Sequence, residues 1–437
     1  MEKFFELREK NTTVQREVFA GLTTFLTMAY ILAVNPGILS GVFGNNLTGM
    51  PWGGVFTATA IASAIATIVM AFAANLPVAL APGMGLNAFF FIVVTTQLGY
   101  NWKLALTAVF LEGIVFIILS LFNVREVIIK AIPKNLKKAV AVGIGLFIAL
   151  IGFSNARVVV NNAGTIIGLG DVTSGTAFMA LIGLTVIAVL YVAKIPGSIL
   201  IGIIITTIIG IPMGITQIAE GWKPFSVPEA PLFFQFDFSP KEIFSFQFFI
   251  IFFTFLFVDI FDTIGTLVGV TTQAKLIDDR GNIPNVKEAF LSDAVGTVAG
   301  AALGTSTVTS YIESSAGVSA GGRTGLTSLT TGILFILALF LWPIFQLIPS
   351  AATAPALIFV GFLMLQPVTS IDFTDPTEGI PAFITIVMMP FAYSIANGIV
   401  YGIISYVILK FAGRKGKDVS VITWVLFVVF ILHIILK

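Results

Sequence analysis

Cysteine is absent from the 437 residues, which removes disulfides, thiolate metal ligands and thiol redox chemistry. Histidine occurs once, as His433 near the C-terminal end, so histidine-based catalysis or zinc binding has a single residue to draw on. Charge is scarce: Asp, Glu, Lys and Arg make up 10% of the chain, against roughly 25% in soluble domains. The net charge of +1 offers no electrostatic argument for a nucleic-acid partner. No cofactor or metal motif is expected from these residues, and a nucleophile–base pair for an intramembrane enzyme is missing.

What fills the chain is apolar. Hydrophobic residues reach 57% and Phe alone numbers 42, so a lipid bilayer rather than water is the expected solvent. Apolar runs of about 20 residues recur from end to end, each long enough to cross a bilayer as a helix. Strands of a membrane barrel would alternate polar and apolar residues, and these runs do not. The expectation is an all-α polytopic membrane protein. The first run is too long for a cleaved signal peptide and lacks a clear cleavage site.

Runs fall near 18–39, 53–75, 78–98, 103–122, 138–153, 176–193 and 196–216. A second series lies near 243–268, 286–303, 307–320, 324–346, 352–367, 380–393 and 395–411, with one run, 421–436, left over to cross or to lie at the interface. Basic residues concentrate at the N-terminus (Lys3, Arg8, Lys10, Arg16) and in the fourth-to-fifth loop (Arg125, Lys130, Lys134, Lys137, Lys138). They recur in the eighth-to-ninth loop (Lys275, Arg280, Lys287) and after the fourteenth run (Arg414, Lys415, Lys417). With this count all four groups share one side. The positive-inside rule makes that side cytoplasmic, in a protein of the plasma membrane.

The two series resemble copies. Ile195–Gly210 aligns without a gap on Ile395–Lys410, with Gly202 over Gly402. Seven runs per copy is an odd number, so the second copy is inverted, the architecture of secondary transporters with a midplane site between broken helices. Breaks occur at the third position of each series. Pro77, Pro82, Gly83 and Gly85 interrupt the first, and "GTSTVT" (Gly304 to Thr309) opens the second with β-prone residues, which helices tolerate poorly. Each reads as an extended lead-in followed by a short helix, starting near Gly85 and near Tyr311. Irregular backbone survives at membrane depth only where it is buried in protein or lines a cavity.

Carboxylates within apolar runs are functional candidates. Asp259 and Asp262 lie in "FVDIFDTIGTL", on roughly one helix face by their spacing, and Glu313 follows in the tenth run. Glu112 and Asp293 read as structural ties. No Lys or Arg lies inside the runs that carry these acids. The acids therefore hold protons, accept hydrogen bonds from a polar ligand, or do both; sodium would want more oxygen ligands.

At these residues the chain resembles the azaguanine-resistance-type purine permeases of the nucleobase–ascorbate transporter (nucleobase–cation symporter) superfamily. The resemblance covers nearly the whole chain. It rests on "REVFAGLTTFLTMAYILAVNP", "APGMGLNAFF", "FVDIFDTIGTL" and above all "GTSTVTSYIESSAGVSAGGRTG". It implies fourteen spans in a seven-plus-seven inverted repeat and an elevator-like motion of a core against a gate. The core would comprise 18–122 and 243–346, and the gate 123–216 and 352–411, with 1–17 a cytoplasmic segment and 421–436 an extra helix. It implies a nucleobase site on Asn87, Asp262 and Glu313, with Gly85, Ala88, Thr266 and Ser314 around it, and proton coupling through Asp262, Asp259 or Glu313. Homodimers through the gate are implied too. The expected activity is proton-coupled import of guanine, hypoxanthine or adenine. Another nucleobase such as uracil or xanthine is the alternative, and an inorganic anion is disfavoured because two carboxylates would face it.

Overall fold

The computed structural model describes residues 2–41, 48–121, 133–173, 175–277 and 283–436. Arg125, Lys130 and Arg280 of the orientation count, the 122/123 domain boundary and the side chain of His433 lie outside the described residues. Helix α1 (Val14–Met28) starts earlier than the apolar run because Thr13 caps it, accepting from Arg16 N. A break at Ala29–Tyr30 separates it from α2 (Ile31–Leu39). There follow α3 (Trp52–Val69), strand β1 (Leu80–Pro82), α4 (Met84–Ala88), continued as a π-helix to Gln97, and α5 (Trp102–Leu121). Next come α6 (Lys134–Asn155), a hairpin of β2 (Val159–Asn162) and β3 (Ile166–Leu169), α7 (Gly175–Val192) and α8 (Ser198–Gly210). The hairpin lies between the fifth and sixth apolar runs.

The second half runs through α9 (Pro240–Ile243), α10 (Phe246–Gln273), α11 (Val286–Leu303), β4 (Val308–Ser310), α12 (Ser314–Ser319) and α13 (Gly325–Ala338). It closes with α14 (Trp342–Gln346), α15 (Ser350–Leu363), α16 (Pro376–Phe391), α17 (Ile395–Ala412) and α18 (Val421–Leu436). Among the described residues nine helical segments are long and apolar enough to cross a membrane. The protein is an all-helical multi-span membrane protein. The count falls short of the fourteen apolar runs for local reasons. The broken third and tenth runs give short helices, α8 has 13 residues and α16 has 16, and α11 carries Lys287, Glu288 and Asp293.

The two breaks meet. β1 and β4 pair antiparallel, Leu80 opposite Ser310 and Pro82 opposite Val308. Gly83 N donates to Thr307 O at 2.9 Å and Tyr311 N to Ala79 O at 3.0 Å, so the pairing extends past both strand ends. A two-stranded ribbon leaves two outer edges, and in a membrane each must be paired. On one edge, Thr67 of α3 takes Leu80 N at 2.9 Å and returns its hydroxyl to Leu80 O at 3.1 Å. On the other, Thr297 of α11 takes Val308 N at 3.1 Å and returns to Val308 O at 2.9 Å. The same device stands at matching places in the two halves. So does a close helix contact: a Cβ at Gly202 would run into Ile187 of α7, and one at Gly402 into Thr385 of α16.

α18 docks on two neighbours. Trp424 and Phe427 pack with Tyr406 and Val407 of α17, and the Phe430 ring meets Phe253 of α10 edge-on at 5.9 Å.

Glu17 of α1 is fully buried. It accepts from Arg323 N at 2.9 Å, Thr324 N at 3.2 Å and the Thr327 hydroxyl at 2.6 Å, so an anion sits at the N-terminus of α13, where the helix dipole favours it. Glu17→Ala strands these donors inside the protein, and stability falls by about 2–4 kcal/mol. Glu17→Gln keeps an acceptor and recovers part of the loss. Thermal melts of the three purified proteins in one detergent check this; equal melting temperatures would contradict it.

Candidate functional site

The paired strands hold the chain away from helix geometry, and a cavity of about 310 Å³ opens beside them. Its walls come from Tyr30, from Gly83 to Gly85, from Thr309 to Glu313, and from α10 through Val258, Phe261, Asp262, Gly265, Thr266 and Gly269. The facing wall is α6 (Lys137, Val140, Ala141, Ile144) with the end of α15 and the turn after it (Val360, Leu363, Met364, Gln366, Pro367). α4 and α6 approach closely, since a Cβ at Gly85 would lie 2.6 Å from Cγ2 of Ile144.

Asp262 and Glu313 converge on this cavity from different elements. Glu313 is the N-cap residue of α12, which begins at Ser314 rather than near Tyr311. Its Oε1 accepts from the Tyr30 hydroxyl at 2.6 Å. The Tyr311 hydroxyl donates to Pro82 O at 2.5 Å, tying the exit of one strand to the other. Gly85 and Thr266 also line the cavity. Asn87, Ala88 and Ser314 are not among its described lining residues. Asn87 is buried behind the wall and its Oδ1 accepts from the Ser306 hydroxyl. The Ser314 hydroxyl accepts from Ala79 N at 3.0 Å, bracing the start of β1.

Of the pair Asp259 and Asp262, only Asp262 lines the cavity. Three residues of helix leave them about 60° apart, enough to separate their surroundings. Asp262 faces the cavity, whereas Asp259 is buried against the carboxyls of Glu112 and Asp293. Thr263 on that side bridges Asp293 at 2.7 Å and Thr309 at 2.8 Å. The Thr307 hydroxyl approaches Glu112 at 3.4 Å. Glu112 and Asp293 thus join α5, α10, α11 and the β4 segment.

Tyr30, Tyr311 and Lys137 belong to the site and escaped the sequence reading. Tyr30 is the single tyrosine of its apolar run, a signal that could have found it. Lys137 was counted with a loop; the helix begins at Lys134 and carries it to the cavity. The acids therefore do share their cavity with a cation.

Of this chain, residues 15–401 match the Xan_ur_permease model, described as a permease family. The chain belongs to this permease family. Membership places it among permeases and not enzymes. The permease is 45% identical over 444 residues to the guanine/hypoxanthine permease PbuG of Bacillus subtilis, covering 100% of this chain and 99% of that one. It is 41% identical over 435 residues to the adenine permease AdeP of Escherichia coli, covering 100% and 96%. Among solved structures, it is similar to the transmembrane domain of the cyanobacterial bicarbonate transporter BicA, with TM-score 0.65 and 16% identity over 88% of this chain and 97% of that one. A second likeness is to the murine anion transporter Slc26a9, with TM-score 0.63 and 12% identity over 92% and 69%. At such identities the likeness speaks for the fold alone.

Tyr30→Phe removes the donor to Glu313 and nothing else. The permease should lose about 1–3 kcal/mol of stability, the span between a neutral and a charge-assisted hydrogen bond. A melting temperature equal to the wild type's would mean that water serves Glu313 as well as Tyr30 does.

Proposed function

We propose that this permease is a secondary active transporter that imports purine nucleobases by proton symport. The observation that carries the reading is the convergence of two carboxyls, Asp262 and Glu313, on one cavity beside the paired strands. Its volume is at the lower end for small-molecule sites, which suits a flat bicyclic base. Ionised carboxylates only accept hydrogen bonds, and the edges of a purine supply N–H donors. An inorganic anion would be repelled by the same pair, so the resemblance to bicarbonate and anion carriers does not extend to cargo. The names of PbuG and AdeP support a purine.

In this reading the chain forms fourteen spans as two inverted copies of seven. The matched threonines, Thr67 and Thr297, and the matched glycines, Gly202 and Gly402, support it. Residues 18–122 and 243–346 form the core that carries the base, and 123–216 and 352–411 form the gate, through which two copies would pair. The N-terminus faces the cytoplasm across the plasma membrane. Gly85 and Thr266 complete the binding surface, while Asn87, Ala88 and Ser314 stand behind it and set its shape.

Glu313 binds the base and Asp262 binds the coupling proton, with Asp259 next in the same helix. A proton taken up from outside neutralises Asp262 while the loaded core passes the apolar gate. Its loss inside restores the carboxylate, weakens the hold on the base and releases both.

Glu313→Gln replaces an acceptor with a mixed donor–acceptor, and purine binding weakens by about 1.5–3 kcal/mol. Unchanged affinity by calorimetry on folded protein would remove Glu313 from the site. Asp262→Asn imitates the protonated state permanently. In proteoliposomes it should retain counterflow of labelled base and lose uphill uptake driven by an imposed pH gradient. Concentrative uptake by this variant would place coupling elsewhere.

A further inference from the structure

Asp262 and Glu313 share their cavity with a cation. Among the described lining residues, Lys137 is the only cationic side chain. It lies in the first turn of α6, and Val140, Ala141 and Ile144 line the cavity with it. Positions 137, 140, 141 and 144 form one helix face, so Lys137 is on the stripe that looks into the cavity. Its Nζ lies 5.5 Å from the centre of the Phe261 ring, within the reach of a cation–π contact. Phe261 immediately precedes Asp262, so the ammonium already stands against the helix that carries the acid.

The cavity thus offers carboxyl acceptors and, on the neighbouring wall, an ammonium, which has three donors and no acceptor. A ligand edge that meets both must present an N–H to an acid and, beside it, an acceptor to Lys137. The two kinds of purine differ at just this pair of positions. A 6-oxopurine carries N1–H beside a C6 carbonyl, donor next to acceptor. Adenine carries a bare N1 beside an amino group, acceptor next to donor, so both contacts are reversed.

We infer that Lys137 is the residue that selects 6-oxopurines over 6-aminopurines. It donates to O6 while N1–H is accepted by one of the two carboxyls. In the same pose adenine sets its amino group against the ammonium and its N1 lone pair against a carboxylate. A site built to hydrogen-bond a group discriminates strongly against an analogue that lacks it, because its own buried polar groups go unpaired. The inference rests on the reading that a purine occupies this cavity. Relatives named for guanine/hypoxanthine and for adenine both match the chain, so kinship alone leaves the choice open.

The test is equilibrium binding of hypoxanthine, guanine and adenine to the purified full chain in lipid nanodiscs. The proteins compared are the wild type, Lys137→Met, Lys137→Gln and Lys137→Arg, matched for melting temperature and monodispersity. The wild type should bind hypoxanthine and guanine more tightly than adenine. Lys137→Met should lose about 10–100-fold in affinity for both oxopurines, the factor for one charge-assisted hydrogen bond, with adenine changed by less than about 3-fold. Lys137→Gln, which keeps a neutral donor, should fall between, and Lys137→Arg should retain the preference. Equal losses for all three bases overturn the inference, as does a wild type that prefers adenine; either result leaves the purine reading standing. A folded wild type that binds no purine overturns that reading, and the role of Lys137 with it.

Discussion

Two threonine hydroxyls make the site possible. A polypeptide that leaves helix geometry inside a membrane must find partners for its N–H and C=O groups, and each failure costs several kcal/mol. Pairing β1 with β4 satisfies the inner edges of the two strands. On the outer edges Thr67 serves Leu80 and Thr297 serves Val308, each as acceptor for the N–H and donor to the C=O of the same residue. A hydroxyl can do both at once, and a methyl in its place can do neither. With the strands held, the chain can end one short helix and begin another in the middle of the protein, and the space beside the ends becomes a cavity.

That arrangement dictates how the acids divide. α10 runs past the strand pair, so one of its faces looks into the cavity and the adjoining face looks into the protein. Asp262 falls on the first and Asp259 on the second. The inner face meets the scaffold: Thr263 bridges Asp293 and Thr309, and Asp259 lies against Glu112 and Asp293. The outer face has Asp262 and Thr266. A single helical turn thereby separates polar groups that hold the fold from polar groups that line the cavity.

Much of this was legible in the residues. The solvent, the helical class and the two breaks follow from scarce charge, long apolar runs and the clustered Pro, Gly and Thr. Asp262 and Glu313 stood out as acids where acids are costly. The pairing of the breaks was not legible, because three-residue strands carry too little pattern to name a partner more than 200 positions away. The spacing of Asp259 and Asp262 places them on roughly one face but does not tell how wide the cavity-facing stripe is, and only Asp262 falls within it. Lys137 was misplaced by the uncertainty of a helix end: one turn decided whether it belonged to a loop or to the cavity wall. The role of Glu17 was hidden because its partners, Arg323 to Thr327, lie some 310 positions along the chain.

The strand pair also has a mechanical consequence. Because β1 and β4 are joined by backbone hydrogen bonds and by Tyr311 to Pro82, the walls they bear cannot part from each other without breaking both. In the proposed motion of core against gate, the seam that would open is the one where α4 meets α6. There Gly85 presents bare backbone to Ile144. Two surfaces that interlock through side chains must unlock before they shear, but a surface with no side chain can glide. Gly85 leaves a low-friction track at the point where the two walls touch, and an added methyl would act there as a brake.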